Sequence, residues 1–128
     1  RPCLFDRCLL GRVYTDAGLG GTGEAGNWAH HDGTCQCLRE SAEYYVGKDP
    51  RAIEHHFQAV SRRAHFMGSD LSAALSAIDV ALWDILGKSV GLPVHQPLGG
   101  ACRDRVKVYQ FLNGPTREEL SLYHTEAA

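Results

Sequence analysis

The chain has no apolar run long enough to cross a bilayer. Its start, RPCLFDRCLL, lacks the basic n-region, apolar h-region and small-residue cleavage site of a secretory signal. An excess of one charge is also missing: 13 Lys and Arg stand against 15 Asp and Glu, for a formal charge of −2. With a pI near 6.4, there is no basic footprint for nucleic acid. The five cysteines (Cys3, Cys8, Cys35, Cys37 and Cys102) are odd in number and irregularly spaced, which argues against a disulfide scaffold. Cys35-x-Cys37 is not the C-x-x-C of a redox site or zinc knuckle, and no second pair follows, so reduced thiols in a cytoplasmic protein are expected. Position 1 is Arg rather than Met, and Arg1 is not expected to be the native start.

There is enough apolar material for one core, 44% of 128 residues. A complete α/β barrel needs roughly 250 residues and does not fit. Cys8–Tyr14 reads as a strand, Thr15-Asp16-Ala17-Gly18 as a turn, and Leu19–Ala25 as a returning strand whose glycines suggest a bulge or a close backbone approach. Gly26–Gly33 reads as a loop. Leu38, Ala42 and Tyr45 then recur at helical spacing, predicting a helix over about 34–46 that ends at Gly47. Asp49-Pro50 predicts a second helix, with Asp49 as N-cap, Pro50 at the first helical position, and Ile53, Phe57, Val60 and Ala64 as its buried stripe.

The third helix carries the strongest pattern. Ser69 or Asp70 is expected to cap it, and Leu71, Leu75, Ile78, Leu82 and Ile85 fall on one face. Burying these side chains at ~1.5–3 kcal/mol each gives an upper figure on the order of 10 kcal/mol, comparable with a domain's whole net stability. Gly91 and Pro93 stop this helix. Val106, Val108 and Gln110 alternate with Lys107, Tyr109 and Phe111 as a short strand, and Thr116-x-x-Glu119 is a capping box opening a further helix.

The candidate chemical motifs each have a structural alternative. Gly21-Thr-Gly23-Glu-Ala-Gly26 matches G-x-G-x-x-G, but its glycines lie in or after a hairpin strand and no helical pattern opens at Gly26, so a nucleotide fold is not expected. His30-His31-Asp32 lacks a carboxylate cluster at ligand spacing and is read as loop surface, or as contact with a polar substrate. His56, flanked by Ile53 and Phe57, is placed near the core boundary with His55 exposed. Asp79 and Asp84 do not share a helix face, which disfavours a two-carboxylate acid–base site; Asp84 is set to pair with Lys88 at i+4.

Ile78–Tyr109 joins an amphipathic helix to a Gly/Pro-rich connector and then a strand, the order expected where a helical cap meets a barrel. VYTDAGLGGTGEA (Val13–Ala25), VGKDPRAIEHHFQAV (Val46–Val60), SAIDVALWDILGKSVGLPVHQPLGG (Ser76–Gly100) and RDRVKVY (Arg103–Tyr109) together resemble the enolase superfamily. The likeness is to its mandelate racemase and muconate-lactonizing branch, and within that to sugar-acid dehydratases. Two departures are visible: the family's first cap strand, usually ahead of Cys8, is missing or reduced to Arg1–Asp6, and PLGG at Pro97–Gly100 stands where LLGG is commoner.

The resemblance implies an α+β fold: an N-terminal capping domain, a β-hairpin followed by three helices, over residues 1–100. A connector, the first strand of a truncated (β/α) barrel and the start of a helix would then occupy 101–128. It implies a lyase that abstracts the proton alpha to a carboxylate of a small-molecule sugar acid, with Mg²⁺ as cofactor. The metal ligands and bases would come from later barrel strands, so no catalytic or metal residue is carried over to this chain, which is expected to be inactive alone. Two cap loops set specificity in the family. Here they match Gly26–Asp32, with Trp28, His30 and His31, and Ala64–Asp70, with Phe66, Met67 and Ser69. A homo-oligomeric full-length protein, with no nucleic-acid or membrane partner, is the accompanying expectation. The alternatives are a racemase or cycloisomerase of the same superfamily, or a non-catalytic helical module that binds a partner through the Leu71–Ile85 face.

Overall fold

The computed structural model describes residues 8–27 and 30–108. Among these, two strands, β1 (Leu9–Tyr14) and β2 (Gly20–Ala25), precede three helices, α1 (His31–Tyr45), α2 (Ile53–Arg63) and α3 (Ser69–Val90). The strands pair antiparallel from Leu9↔Ala25 to Tyr14↔Gly20. Their turn is closed twice: the Gly18 N–H donates to the Thr15 carbonyl at 3.1 Å, and the Thr15 N–H to the Leu19 carbonyl at 2.9 Å. Gly18 supplies the positive φ, 78°, that this connection demands.

The hairpin lies on α3, and the approach explains the glycines of β2. A Cβ on Gly21 would fall on the Ala81 carbonyl oxygen, and one on Gly23 on the Ala77 carbonyl oxygen, both well inside the 3.0 Å that real Cβ contacts respect. The strand therefore meets the helix backbone directly, over a face of α3 made of buried Ala74, Ala77 and Ala81. Gly21 and Gly23 of the G-x-G-x-x-G match are packing chemistry, while Gly26 stands at open space. On another face of α3, Leu75, Ile78, Leu82 and Ile85 are all buried, and Ile53 of α2 joins the last three in a cluster flanked by Val13, Leu38 and Tyr45. Leu71, the fifth residue of the predicted stripe, is half-buried.

Asp84 fastens the same helix to the hairpin. Its Oδ2 accepts the Thr22 N–H at 3.0 Å and the Lys88 ammonium at 2.7 Å, and Lys88 also donates to the Gly20 carbonyl at 2.7 Å. The ammonium and the strand N–H together hold the Asp84 carboxyl below its ordinary value. A depressed folded-state value means that this stabilisation is complete above 3.8, the ordinary value, and is lost as pH falls from there through the folded value. Asp84→Asn is expected to lower the thermal midpoint at pH 7 and to flatten the acid limb of the stability–pH curve relative to wild type. Parallel acid limbs in the two proteins, followed by circular dichroism, would count against the clamp.

Several helix boundaries differ from those predicted. α1 begins at His31, three residues before Thr34, so Gly33 falls in its first turn, where a Cβ would meet the Asp70 carboxylate. α2 begins at Ile53, with Ala52 in the capping position. Asp49 instead closes a turn: its carboxylate accepts the Arg51 backbone N–H at 2.9 Å and the Arg51 guanidinium at 2.8 Å. The buried stripe of α2 runs through Ile53, His56 and Val60; Phe57 is 39% exposed and Ala64 half-buried. α3 is capped by Gly68 with no side-chain cap bond, so Ser69 and Asp70 are its first helical residues. Its C-terminus matches expectation, with Gly91 left-handed at φ 68° and its N–H bonded to the Gly87 and Lys88 carbonyls.

Residues 101–108 are exposed and carry no strand pairing; Val106 is 72% and Val108 90% exposed. An alternating strand closes only against neighbours, and none stands beside this segment among the described residues. The rest of that predicted strand, the Thr116 capping box and the segment ahead of Arg7 lie outside the described residues. No described helix is long and apolar enough to cross a membrane.

Candidate functional site

The two loops singled out by sequence lie side by side. Asn27 ends the segment after β2, and its side-chain Nδ2 donates to the Thr34 hydroxyl of α1 at 3.0 Å and to the Asp70 carboxylate of α3. An Asn amide flipped the other way would set its oxygen against that carboxylate, two acceptors with no proton between them, so the orientation is determined. Thr34 is fully buried, and Gly33 leaves the space that the second Asp70 oxygen occupies. Asn27, Gly33, Thr34 and Asp70 thus bind the 26–32 loop to the 64–70 loop, although 43 residues separate Asn27 from Asp70.

Of the predicted contact residues, His30 is exposed and stands in the capping position of α1, with its carbonyl accepting the Thr34 N–H at 3.0 Å. His31 opens the helix and is half-buried. Phe66 is 85% exposed, with its ring edge-on to His65 at 4.7 Å between centroids, and Met67 is 45% exposed. Ser69 is exposed at the first turn of α3. Trp28 lies outside the described residues. The structure brings the two segments together through Asn27, which no sequence pattern singled out, and Asp70, which the sequence marks only as a cap candidate at the end of its loop. The available signal was weak: an Asn in a loop and an Asp at a helix start are ordinary turn and cap residues.

Beside the loops, an open groove of about 640 Å³ runs between α1, the end of α2 and the 64–70 segment, lined by Cys37, Tyr44, Arg63, Phe66 and Asp70 among others. Burial, then the negative charges of Asp70 and Glu40, push the Cys37 thiol up, so it is no activated nucleophile. Farther along the bundle, burial and then Tyr44 and Asp79 push the Tyr45 phenol up to about 12. Asp79 is itself raised, by burial and then by Glu54 of α2. Among the described residues, no three His, Cys, Asp or Glu side chains gather in a way that could hold a metal ion. The two coupled loops carry exposed ring, thioether and hydroxyl groups side by side.

The sequence profile of the mandelate racemase / muconate lactonizing enzyme N-terminal domain matches residues 6–99. D-galactonate dehydratase of Xanthomonas campestris pv. campestris is 40% identical over 109 residues, and that of Ralstonia nicotianae 38% over 109. The aligned region is 84% of this chain and 28% of each relative, so the chain spans just over a quarter of the length of these dehydratases. Among solved structures, an enolase from Pantoea ananatis with bound D-gluconate and Mg is 36% identical with a TM-score of 0.71, covering 76% of this chain and 24% of that one. A provisionally named isomerase from Sinorhizobium meliloti has a TM-score of 0.83 at 32% identity, covering 95% of this chain and 33% of that one.

Proposed function

The chain belongs to the mandelate racemase / muconate lactonizing enzyme family, and on that premise we propose that it is the substrate-facing cap of a Mg²⁺-dependent sugar-acid dehydratase. In this reading residues 1–100 form the cap, 101–128 lead into the barrel, and the substrate is an aldonic acid of the galactonate–gluconate class. The observation that carries it is the meeting of the 26–32 and 64–70 loops at the Asn27–Asp70 bond, which makes one rim from two segments. Similarity to the D-galactonate dehydratases supports the substrate class, and the gluconate and Mg of the Pantoea ananatis neighbour support both acid and metal.

The reaction would be removal of a proton alpha to a carboxylate, followed by loss of hydroxide as water. Mg²⁺ would supply fixed positive charge for the enediolate that develops. The described residues do not fit a cation site, so no step of that chemistry is assigned to them. Their part is to bind and orient. Ser69 and His30 present polar groups to a polyhydroxylated chain, Phe66 and Met67 present apolar surface that displaces water from it, and His31 completes the rim. Trp28 joins them on sequence grounds alone.

The full-length protein, assayed against a panel of aldonic and aldaric acids with and without EDTA, is expected to dehydrate an aldonic acid, to lose turnover on chelation, and to recover it with added Mg²⁺. Turnover that ignores EDTA would overturn the metal assignment. The isomerase name of the Sinorhizobium meliloti neighbour favours a racemase or cycloisomerase as the second reading. Exchange of the alpha proton with solvent deuterium, without formation of a 2-keto-3-deoxy acid, would select it.

A further inference from the structure

We propose that Asn27 is a positioning residue that sets substrate specificity by locking the two cap loops into a single rim; this rests on the reading that those loops contact the substrate. Asn27 acts through the loops it joins. It spends both amide protons on the loop junction, one on the buried Thr34 hydroxyl and one on the Asp70 carboxylate. Asp70 adjoins Ser69, and Thr34 lies one turn beyond His30 and His31 on α1. The same side chain therefore fixes the distance between the polar contacts of the first loop and those of the second.

Gly33 makes the arrangement specific. A Cβ there would fall on the Asp70 carboxylate, so a larger residue must displace that carboxylate from the junction. The pairing is also long-range, between a loop after β2 and the first turn of α3, so neither helix capping nor loop closure requires it. A bond needed only to satisfy Asp70 could be supplied by water, since that side chain is half-buried. Direct ligation by Asn27 holds two otherwise independent loops in register, and register is what a ligand spanning both would sense.

The test uses the full-length enzyme with its metal and two epimeric aldonic acids. Asn27→Ala is expected to raise KM for the better substrate by roughly tenfold, to leave kcat within about twofold, and to narrow the preference between the epimers. Gly33→Ala, which drives the Asp70 carboxylate off the junction without touching Asn27, is expected to reproduce that pattern. Asp70→Asn keeps an acceptor oxygen for the Asn27 amide and should raise KM less than Asp70→Leu does. Asn27→Ala combined with Asp70→Leu should be no worse than either alone.

Met67→Ala and His30→Ala serve as controls for the underlying reading. If these raise KM while Asn27→Ala changes only the thermal midpoint, or if the Asn27 and Asp70 effects simply add, the positioning role is overturned and the contact role of the loops stands. If none of the loop variants moves KM, the contact reading falls and the proposal falls with it.

Discussion

Replacing Gly23 by valine is expected to leave this domain unfolded at room temperature, and replacing it by alanine to cost about 3 kcal/mol, the upper part of the usual range for overpacking. A Cβ there would meet the Ala77 carbonyl oxygen, followed by the Ala77 carbonyl carbon at 2.8 Å and Cα at 3.1 Å. These are helix backbone atoms, with no rotamer to swing away. Moving α3 outward would strip the contact from Ala74, Ala77 and Ala81 together and stretch the Thr22–Asp84 bond. A net stability of roughly 5–15 kcal/mol cannot absorb much of that. Gly26, which has open space where its Cβ would stand, is the control, and Gly26→Ala is expected to shift the thermal midpoint little. A Gly23→Ala protein within about 0.5 kcal/mol of wild type, a change typical of neutral surface positions, would mean that strand and helix do not touch as described.

The second large effect is at His56. This side chain is 3% exposed, with its ring edge-on to Tyr44 and Tyr45 at 5.7 and 5.5 Å between centroids. Its Nε2 lies 2.7 Å from the Asp49 carbonyl oxygen, which can only accept, so Nε2 carries the proton. Nδ1 is then the acceptor for the Tyr44 hydroxyl at 3.2 Å. The ring satisfies both neighbours and anchors the Asp49 turn to α2. His56→Ala is expected to cost about 3 kcal/mol, from a cavity plus the loss of the ring's hydrogen bonds to the Asp49 carbonyl and the Tyr44 hydroxyl. Phe57→Ala, at a position 39% exposed, should cost less than half of that. Chemical denaturation of both variants decides the ranking; the reverse order would restore Phe57 to the core and remove His56 from it.

That pair marks a limit of periodicity as a guide. Ile53, Phe57, Val60 and Ala64 have the hydrophobic spacing of a buried helix face, yet the buried face turns through Ile53, His56 and Val60. A histidine counts as polar in such a pattern, and only partners from outside the helix, Tyr44 and the Asp49 carbonyl, make its burial favourable. The Asp49-Pro50 boundary went astray for a related reason. An Asp before a Pro is the chemistry of a helix cap and of a turn alike, and the neighbouring Arg51 guanidinium favours the turn. By contrast, the third helix was legible almost to the residue, since its leucine face, its length and the Gly91 stop agree with one another. The loops of the candidate rim were legible as segments, through their family resemblance. Their junction was not.

From the order of residues alone came the hairpin and its Gly18 turn, the existence and kind of all three helices, the Asp84–Lys88 pair and the family. Each of these rests on local chemistry or on spacing along one element, which a linear pattern records. The tertiary structure decided where those elements touch: that Gly21 and Gly23 admit the backbone of α3, that His56 belongs to the core, and that Asn27 ties two loops into one rim. Those facts depend on pairings between residues tens of positions apart, whose energy exists only once burial has brought them together and so leaves no period in the chain.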